Sequence, residues 1–139
     1  MASLFTKIIN REIPAQILAE TDTFIAILDI NPVNYGHTLI ITKHEYPDFT
    51  ALPEDILGPL MAFTQRVAHS ILEATKATGF NVLMNSKPAS GQEIFHFHAH
   101  IIPRFEGDGY THWKGKPYKD NDHMAQTATA IRTAIEEGR

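Results

Sequence analysis

Cysteine is absent from all 139 residues. That excludes disulfides, thiol nucleophiles and cysteine-ligated zinc, and it fits a reducing compartment, so a cytoplasmic protein is expected. Positive charge is also in short supply: 12 Lys and Arg stand against 16 Asp and Glu, a net charge of −4 with histidines neutral. Non-specific nucleic-acid binding depends on surplus cations, so no nucleic-acid partner is expected. No apolar run approaches the roughly 20 residues of a membrane span. The stretch from Met1 to Lys7 lacks a long apolar core followed by a cleavage site, so neither a signal peptide nor a membrane partner is read. What remains is ordinary for a globular chain, 43% hydrophobic and 20% charged. The length suits one domain, residues 1–139, with a real core.

Periodicity gives a coarse map. Residues 4–9 carry apolar groups at helical spacing, with Arg11 to Pro14 as the exit. Residues 16–20 and 23–28 read as two short strands around a turn at Thr21-Asp22. Residues 29–36 are a loop by their Asn, Pro and Gly content, and 37–42 a β-branched strand. Leu60, Met61, Val67, Ile71 and Leu72 mark the longest helix, with Gly79 placed to cap its end. Gly58-Pro59 either starts that helix or breaks it from a turn at 53–57. Residues 80–84 form another strand and 85–91 a turn-rich loop. A further strand ends near Pro103. A last helix over 123–136, capped by Asp122, sets Met124, Ala128, Ile131 and Ile135 on one face. The sum is an α+β chain: a five-stranded antiparallel sheet with two main helices on one face.

Against this background stand His96, His98 and His100, at every second position. A strand alternates its side chains between faces. The three imidazoles therefore share one face, about 6–7 Å apart at Cβ, while Phe95, Phe97, Ala99 and Ile101 fill the other. Three readings compete. The row is structural, each ring satisfied by a buried partner. Or it binds a metal, with His37 or His44 completing the ligand sphere, although the outer pair is spread by about 13 Å. Or it is a metal-free catalyst at phosphorus, in which one neutral imidazole attacks, one neighbour orients it and the other donates a proton. Asn85, Ser86, Ser90, Gly91 and Gln92 lie just upstream. Such neutral donors stabilise a phosphoryl group without a metal, and they favour the third reading.

The run from Gly91 to Arg104 resembles the signature of the histidine triad (HIT) superfamily, His-φ-His-φ-His-φ-φ with φ apolar. Residues 8–14, 28–32 and 36–40 resemble, in order, that family's N-terminal helix, nucleoside loop and following strand. The look is nearest to its Hint branch. The resemblance implies an HIT-like fold, with the sheet continued across a homodimer. It also implies a nucleotide hydrolase or transferase acting at an α-phosphate. Carried over by position, His98 is the nucleophile that forms a nucleotidyl-histidine. His100 serves phosphate and leaving group, and His96 and His37 support the nucleophile's ring. Asn85, Gly91 and Gln92 meet phosphate, and Asp29 takes the ribose hydroxyls. Leu4, Phe5, Ile8, Ile27 and Ile30 sandwich the base. The expected partner is a purine nucleotide, AMP or GMP in conjugated form, and no cofactor is implied.

Two departures bear on the site. Many bacterial relatives hold structural zinc with a Cys-x-x-Cys where this chain has Ser3-Leu4-Phe5-Thr6, so no metal is expected. Glu93 stands where some relatives have a small hydroxyl residue, and its carboxylate would repel phosphate. The segment after Arg104, with Trp113, is where branches differ and is expected to shape leaving-group preference.

Overall fold

The computed structural model describes residues 2–138, which fall into two compact units that meet in sequence between Asp108 and Gly109. The first unit carries α1 (Leu4–Ile9), β1 (Ile17–Glu20), β2 (Phe24–Leu28), β3 (Thr38–Thr42), α2 (Glu54–Thr75), β4 (Gly79–Leu83) and β5 (His98–Arg104). Its strands form one five-stranded sheet in the order β1-β2-β3-β5-β4. Every neighbouring pair is antiparallel.

Register decides which side chains share a face. Ile41 lies opposite His98 and Leu39 opposite His100, while Ile25 and Ile27 pair with the same Ile41 and Leu39. Directly opposed residues point the same way, so these isoleucines, the leucine and the two histidines line one face. Phe5 and Ile8 of α1 pack there. Ala26, Ile40, Ala99 and Ile101 point the other way, into a core closed by Leu60, Phe63, Val67 and Ile71 of α2. α2 thus covers one face of the sheet, and the short helix α1 packs on the other. The reason is legible in β2 and β3, whose runs FIAIL and TLIIT are apolar at nearly every position and demand cover on both sides. Ile25, Ile40, Ile41 and Leu60 are fully buried, each contributing roughly 1.5–3 kcal/mol.

Several boundaries differ from expectation. Pro59 neither starts nor breaks α2 but sits inside it. The helix begins at Glu54, whose carboxylate and that of Asp55 suit the positive end of the helix dipole. Gly79 opens β4, and the C-cap of α2 is Lys76, in the left-handed region with φ 62° and its N–H donating to the Leu72 carbonyl. β5 starts at His98, because β3 has already ended at Thr42 and the Phe97 N–H turns instead to the Tyr46 carbonyl. The chain bends before that point, which leaves Phe95 54% exposed and outside the core that Phe97, Ala99 and Ile101 join. Glycine is required at Gly36, where φ is +100° and an added Cβ would stand 2.7 Å from Thr75 Cγ2.

The second unit has an irregular lead with an exposed Trp113 and then α3 (Asn121–Glu136). Asp120, not Asp122, is its cap, accepting from the His123 N–H, and Asp122 instead supplies charge in the first turn. None of the described helices is long and apolar enough to cross a membrane.

Candidate active site

All thirteen candidate residues except His37 and His96 line one cavity of about 390 Å³ on the α1 side of the sheet. Leu4, Phe5, Ile8, Ile27 and the exposed Ile30 form its apolar wall. His98, His100, Asp29, Asn85, Gly91 and Gln92 form its polar floor and rim. Ile13, Leu39 and Ile94 are among the further residues of the wall. Sequence reasoning passed over them because lone apolar residues carry no sign that separates a ligand wall from a core.

The hydrogen bonds fix where each histidine keeps its proton. His98 Nδ1 lies 2.8 Å from the His96 carbonyl, which can only accept, so Nδ1 carries the hydrogen and Nε2 keeps a free lone pair. The Val33 N–H can only donate, and it donates to His37 Nδ1 at 3.0 Å. His37 therefore holds its proton on Nε2 and donates it to His100 Nδ1 at 2.9 Å. That leaves the His100 proton on Nε2. A basic nitrogen and an N–H donor thus stand side by side on rings whose centroids are 5.1 Å apart.

This assigns His37 differently from expectation. It orients His100, not the ring of His98, because Leu39 lies opposite His100 in the ladder and His37 precedes that residue by only two. The contact of His96 with His98 runs through its carbonyl. Its own ring is fully buried, with Nε2–H donating to the Thr42 carbonyl at 2.6 Å and Nδ1 accepting from Ser3 Oγ at 2.6 Å.

Burial disfavours the charged form of all four rings. It lowers His37, His96 and His98 below the ordinary histidine value, against opposing pulls from Asp29 on His37 and His98. Burial, then the neighbouring His98 and His37, push His100 down to about 4. At neutral pH the rings are uncharged, which is what a nitrogen nucleophile needs.

Asp29, His37 and His100 offer donor atoms within 4.8 Å of one another, a grouping of metal-ligand type. The tautomer argues for another use. His37 Nε2 bears the proton fixed by Val33, and a cation there would have to displace it. His44, the other histidine considered for a metal, packs on Tyr46 instead. Asp29 accepts from the Asn31 N–H through Oδ1 and holds Oδ2 3.6 Å from His37 Nε2.

The loop before the histidines is held by its own polar groups. Gln92 Oε1 accepts from the Lys87 N–H, and its Nε2 donates to the Pro47 and Ile94 carbonyls. Both amide hydrogens are committed, so an approach of this residue to phosphate has to use its backbone. Lys87, at φ 72°, is kept in that conformation from both ends, its Nζ pairing with Asp48 Oδ2 at 3.0 Å. Gly91 has φ +101°, and a Cβ there would meet Asn85 Nδ2 at 4.0 Å. There is room for a Cβ, so glycine suits the position by its conformation alone.

The fold and the paired rings define a histidine-triad class of α+β protein, and comparison with known proteins agrees. The HIT domain matches residues 10–107, and the chain belongs to that family. It is 42% identical over 106 residues to an uncharacterized HIT-like protein of Methanocaldococcus jannaschii, covering 76% of this chain and 81% of that one. It is 42% identical over 105 residues to the adenylylsulfatase HINT3 of Arabidopsis thaliana, covering 76% of this chain and 53% of that longer protein. Among solved structures, a protein of Streptococcus mutans superposes with a TM-score of 0.89 at 32% identity, over 96% of this chain and 85% of that one. A histidine triad nucleotide-binding protein of Candida albicans superposes at 0.85 with 26% identity, over 99% and 100%.

Proposed function

We propose that this protein is a nucleotide hydrolase or transferase. It cleaves at the α-phosphate of a nucleoside 5′-phosphoramidate or related conjugate and releases AMP or GMP. The observation that carries the reading is the unprotonated Nε2 of His98 beside the Nε2–H of His100, at the floor of a cavity with an apolar wall and lined also by Asp29 and Glu93. In the first step His98 Nε2 forms a bond to phosphorus while the bond to the leaving group breaks; the electron pair departs with that group, and an amine takes up a proton from solvent in the cavity as it leaves. Water then attacks phosphorus, the P–N bond breaks and the nucleotide leaves. The His100 N–H stabilises charge on the phosphoryl oxygens. Asp29 accepts from the ribose hydroxyls, and Asn85 and Gly91 approach the phosphate. No step calls for a metal.

A second reading concerns the leaving group. Departing as a neutral amine takes a proton, whereas sulfate departs without one. His100, held at about 4, is a poor proton source near neutral pH. That favours leaving groups that need no protonation, a class to which the substrate of an adenylylsulfatase belongs. The test is incubation in chelator with adenosine 5′-phosphoramidate, diadenosine tetraphosphate and adenylyl sulfate, trapping nucleotide on His98 by mass spectrometry. Label on His98 with AMP release is the expected result; turnover without label on any histidine contradicts it.

The reading includes a homodimer. β4 is an edge of the sheet, and Phe80 and Val82 on it stand exposed beside exposed Met61 of α2. Such an edge with an apolar flank suits continuation of the sheet into a second copy. Light scattering of the protein and of Val82→Lys checks this, with a shift to half the mass expected in the variant.

A further inference from the structure

The nucleophile is steered from a place outside the cavity. Ser3 caps α1, its Oγ accepting from the Thr6 N–H at 3.0 Å. The same hydroxyl reaches His96 Nδ1 at 2.6 Å. Because His96 Nε2–H is committed to the Thr42 carbonyl, Nδ1 has to accept, and the Ser3 hydroxyl hydrogen points at it. Glu45 fastens this turn from outside: its Oε1 accepts from the Ser3 N–H at 2.6 Å and from the Thr6 hydroxyl at 2.5 Å. These bonds hold the Glu45 carboxyl well below the usual range, at about 2, so it is ionised throughout the working pH range.

Two constraints act on the His98 ring, and both trace back to this knot. One is the His96 carbonyl that accepts from Nδ1. The other is Phe5, which meets the His98 ring edge-on with centroids 4.8 Å apart and the His96 ring at 5.7 Å. Phe5 sits in the helical turn that Ser3 caps and Glu45 fastens.

We propose that Ser3 and Glu45 are positioning residues for His98. Together they clip α1 to His96, so that His96 keeps one tautomer, its carbonyl stays aimed at His98 Nδ1, and Phe5 closes the side of the ring. The nucleophile's lone pair is thereby held toward the cavity. This rests on His98 being the nucleophile, and the experiment separates the two ideas.

Ser3→Ala removes the hydroxyl from His96, Ser3→Thr restores it, and Glu45→Gln weakens the outer fastening. Thr21→Ala serves as the comparator: it deletes the side-chain acceptor of the Thr23 and Phe24 N–H groups in the β1–β2 turn, a purely structural loss. Expected for Ser3→Ala is a fall in kcat of about 10–100-fold, the range for partners that orient a functional ligand. KM should stay within threefold. Glu45→Gln should show a smaller fall of the same kind, Ser3→Thr a return to within threefold, and Thr21→Ala a lower thermal midpoint with kcat unchanged. Imidazole ¹⁵N spectra supply a readout that needs no turnover. In the wild type the two His98 nitrogens should be well separated, one protonated and one bare, and the separation should narrow in Ser3→Ala. Ser3→Ala with wild-type kcat and an unchanged His98 spectrum overturns the proposal, as does failure of Ser3→Thr to restore both. Should the wild type turn over none of the substrates while Ser3→Ala still narrows the separation, the positioning stands and the reading of His98 as nucleophile is what fails.

Discussion

The two ends of the histidine row differ more than their identical spacing suggests. At the His96 end the ring is fully buried and both nitrogens have protein partners, Thr42 and Ser3. At the His100 end only Nδ1 has a partner among the described residues, and the ring lines the cavity. Between them His98 has its inner nitrogen committed and its outer one bare. Residue type and period are the same at all three positions; what differs is the group behind each ring. A carbonyl behind leaves a base in front, and an imidazole N–H behind leaves a donor in front. What each ring can offer is set here by the tautomer, and the tautomer is set by backbone groups of β3, of the loop before it and of the triad itself.

The largest effect that tests this contrast belongs to the middle ring. His98→Ala should abolish turnover while AMP binding, followed by calorimetry, stays within a few-fold, because the apolar wall and Asp29 remain. A variant that still turned over would end the assignment of the bare nitrogen. His100→Ala removes the N–H donor to the phosphoryl oxygens and should lower kcat by about 10²–10³-fold, the range for one such donor. The loss should be similar for sulfate and amine leaving groups; a much larger loss with the amine would mean that this ring supplies the leaving group's proton. His37→Ala acts one step further back, freeing the His100 tautomer, and a loss of about 10–100-fold is expected. A His37→Ala spectrum in which His98 rather than His100 changes tautomer would restore the pairing first expected from sequence.

How much of this was legible beforehand follows the same line. The strands, the short helix over residues 4–9 and the row of histidines were readable, because apolar runs, turn residues and a period of two are local signals; the apolar wall and Asp29 were named only through the resemblance to the family. Which ring faces which partner was not. Glu45 is an exposed acidic residue 51 positions before His96 and marks itself in no local pattern, yet it fastens the turn that caps α1. Val33 acts through a backbone N–H, which every residue but proline carries, so its side chain carries no trace of the role. Gln92 was legible as a polar group near the site but not as one whose amide is committed to the loop itself. Helix ends misled for a similar reason. Lys76 takes a left-handed φ usually left to glycine, and Gly79, three residues on, is already in the sheet.

The smallest effect expected is also the one that compares all the rings at once. Burial lowers each of the four below the ordinary value of 6.5. For the free protein the basic limb of His98 therefore has its midpoint below pH 6.5, and kcat/KM should fall to half its plateau only below that pH. Stability obeys the same sign. As pH drops below 6.5 the unfolded chain takes up protons on these histidines while the folded one does not, so folding is increasingly disfavoured, down to about 4 for His100. Thermal midpoints measured at pH 7 and pH 5 should fall by less in His100→Ala than in the wild type, since one depressed group is gone. His96 sharpens the comparison: its ring is fully enclosed, so protonating it requires Ser3 to turn its hydroxyl and accept. An His96→Asn variant should therefore flatten the pH dependence of stability while lowering stability itself at pH 7, where deleting an already neutral, hydrogen-bonded ring leaves the Thr42 carbonyl and the Ser3 hydroxyl without it.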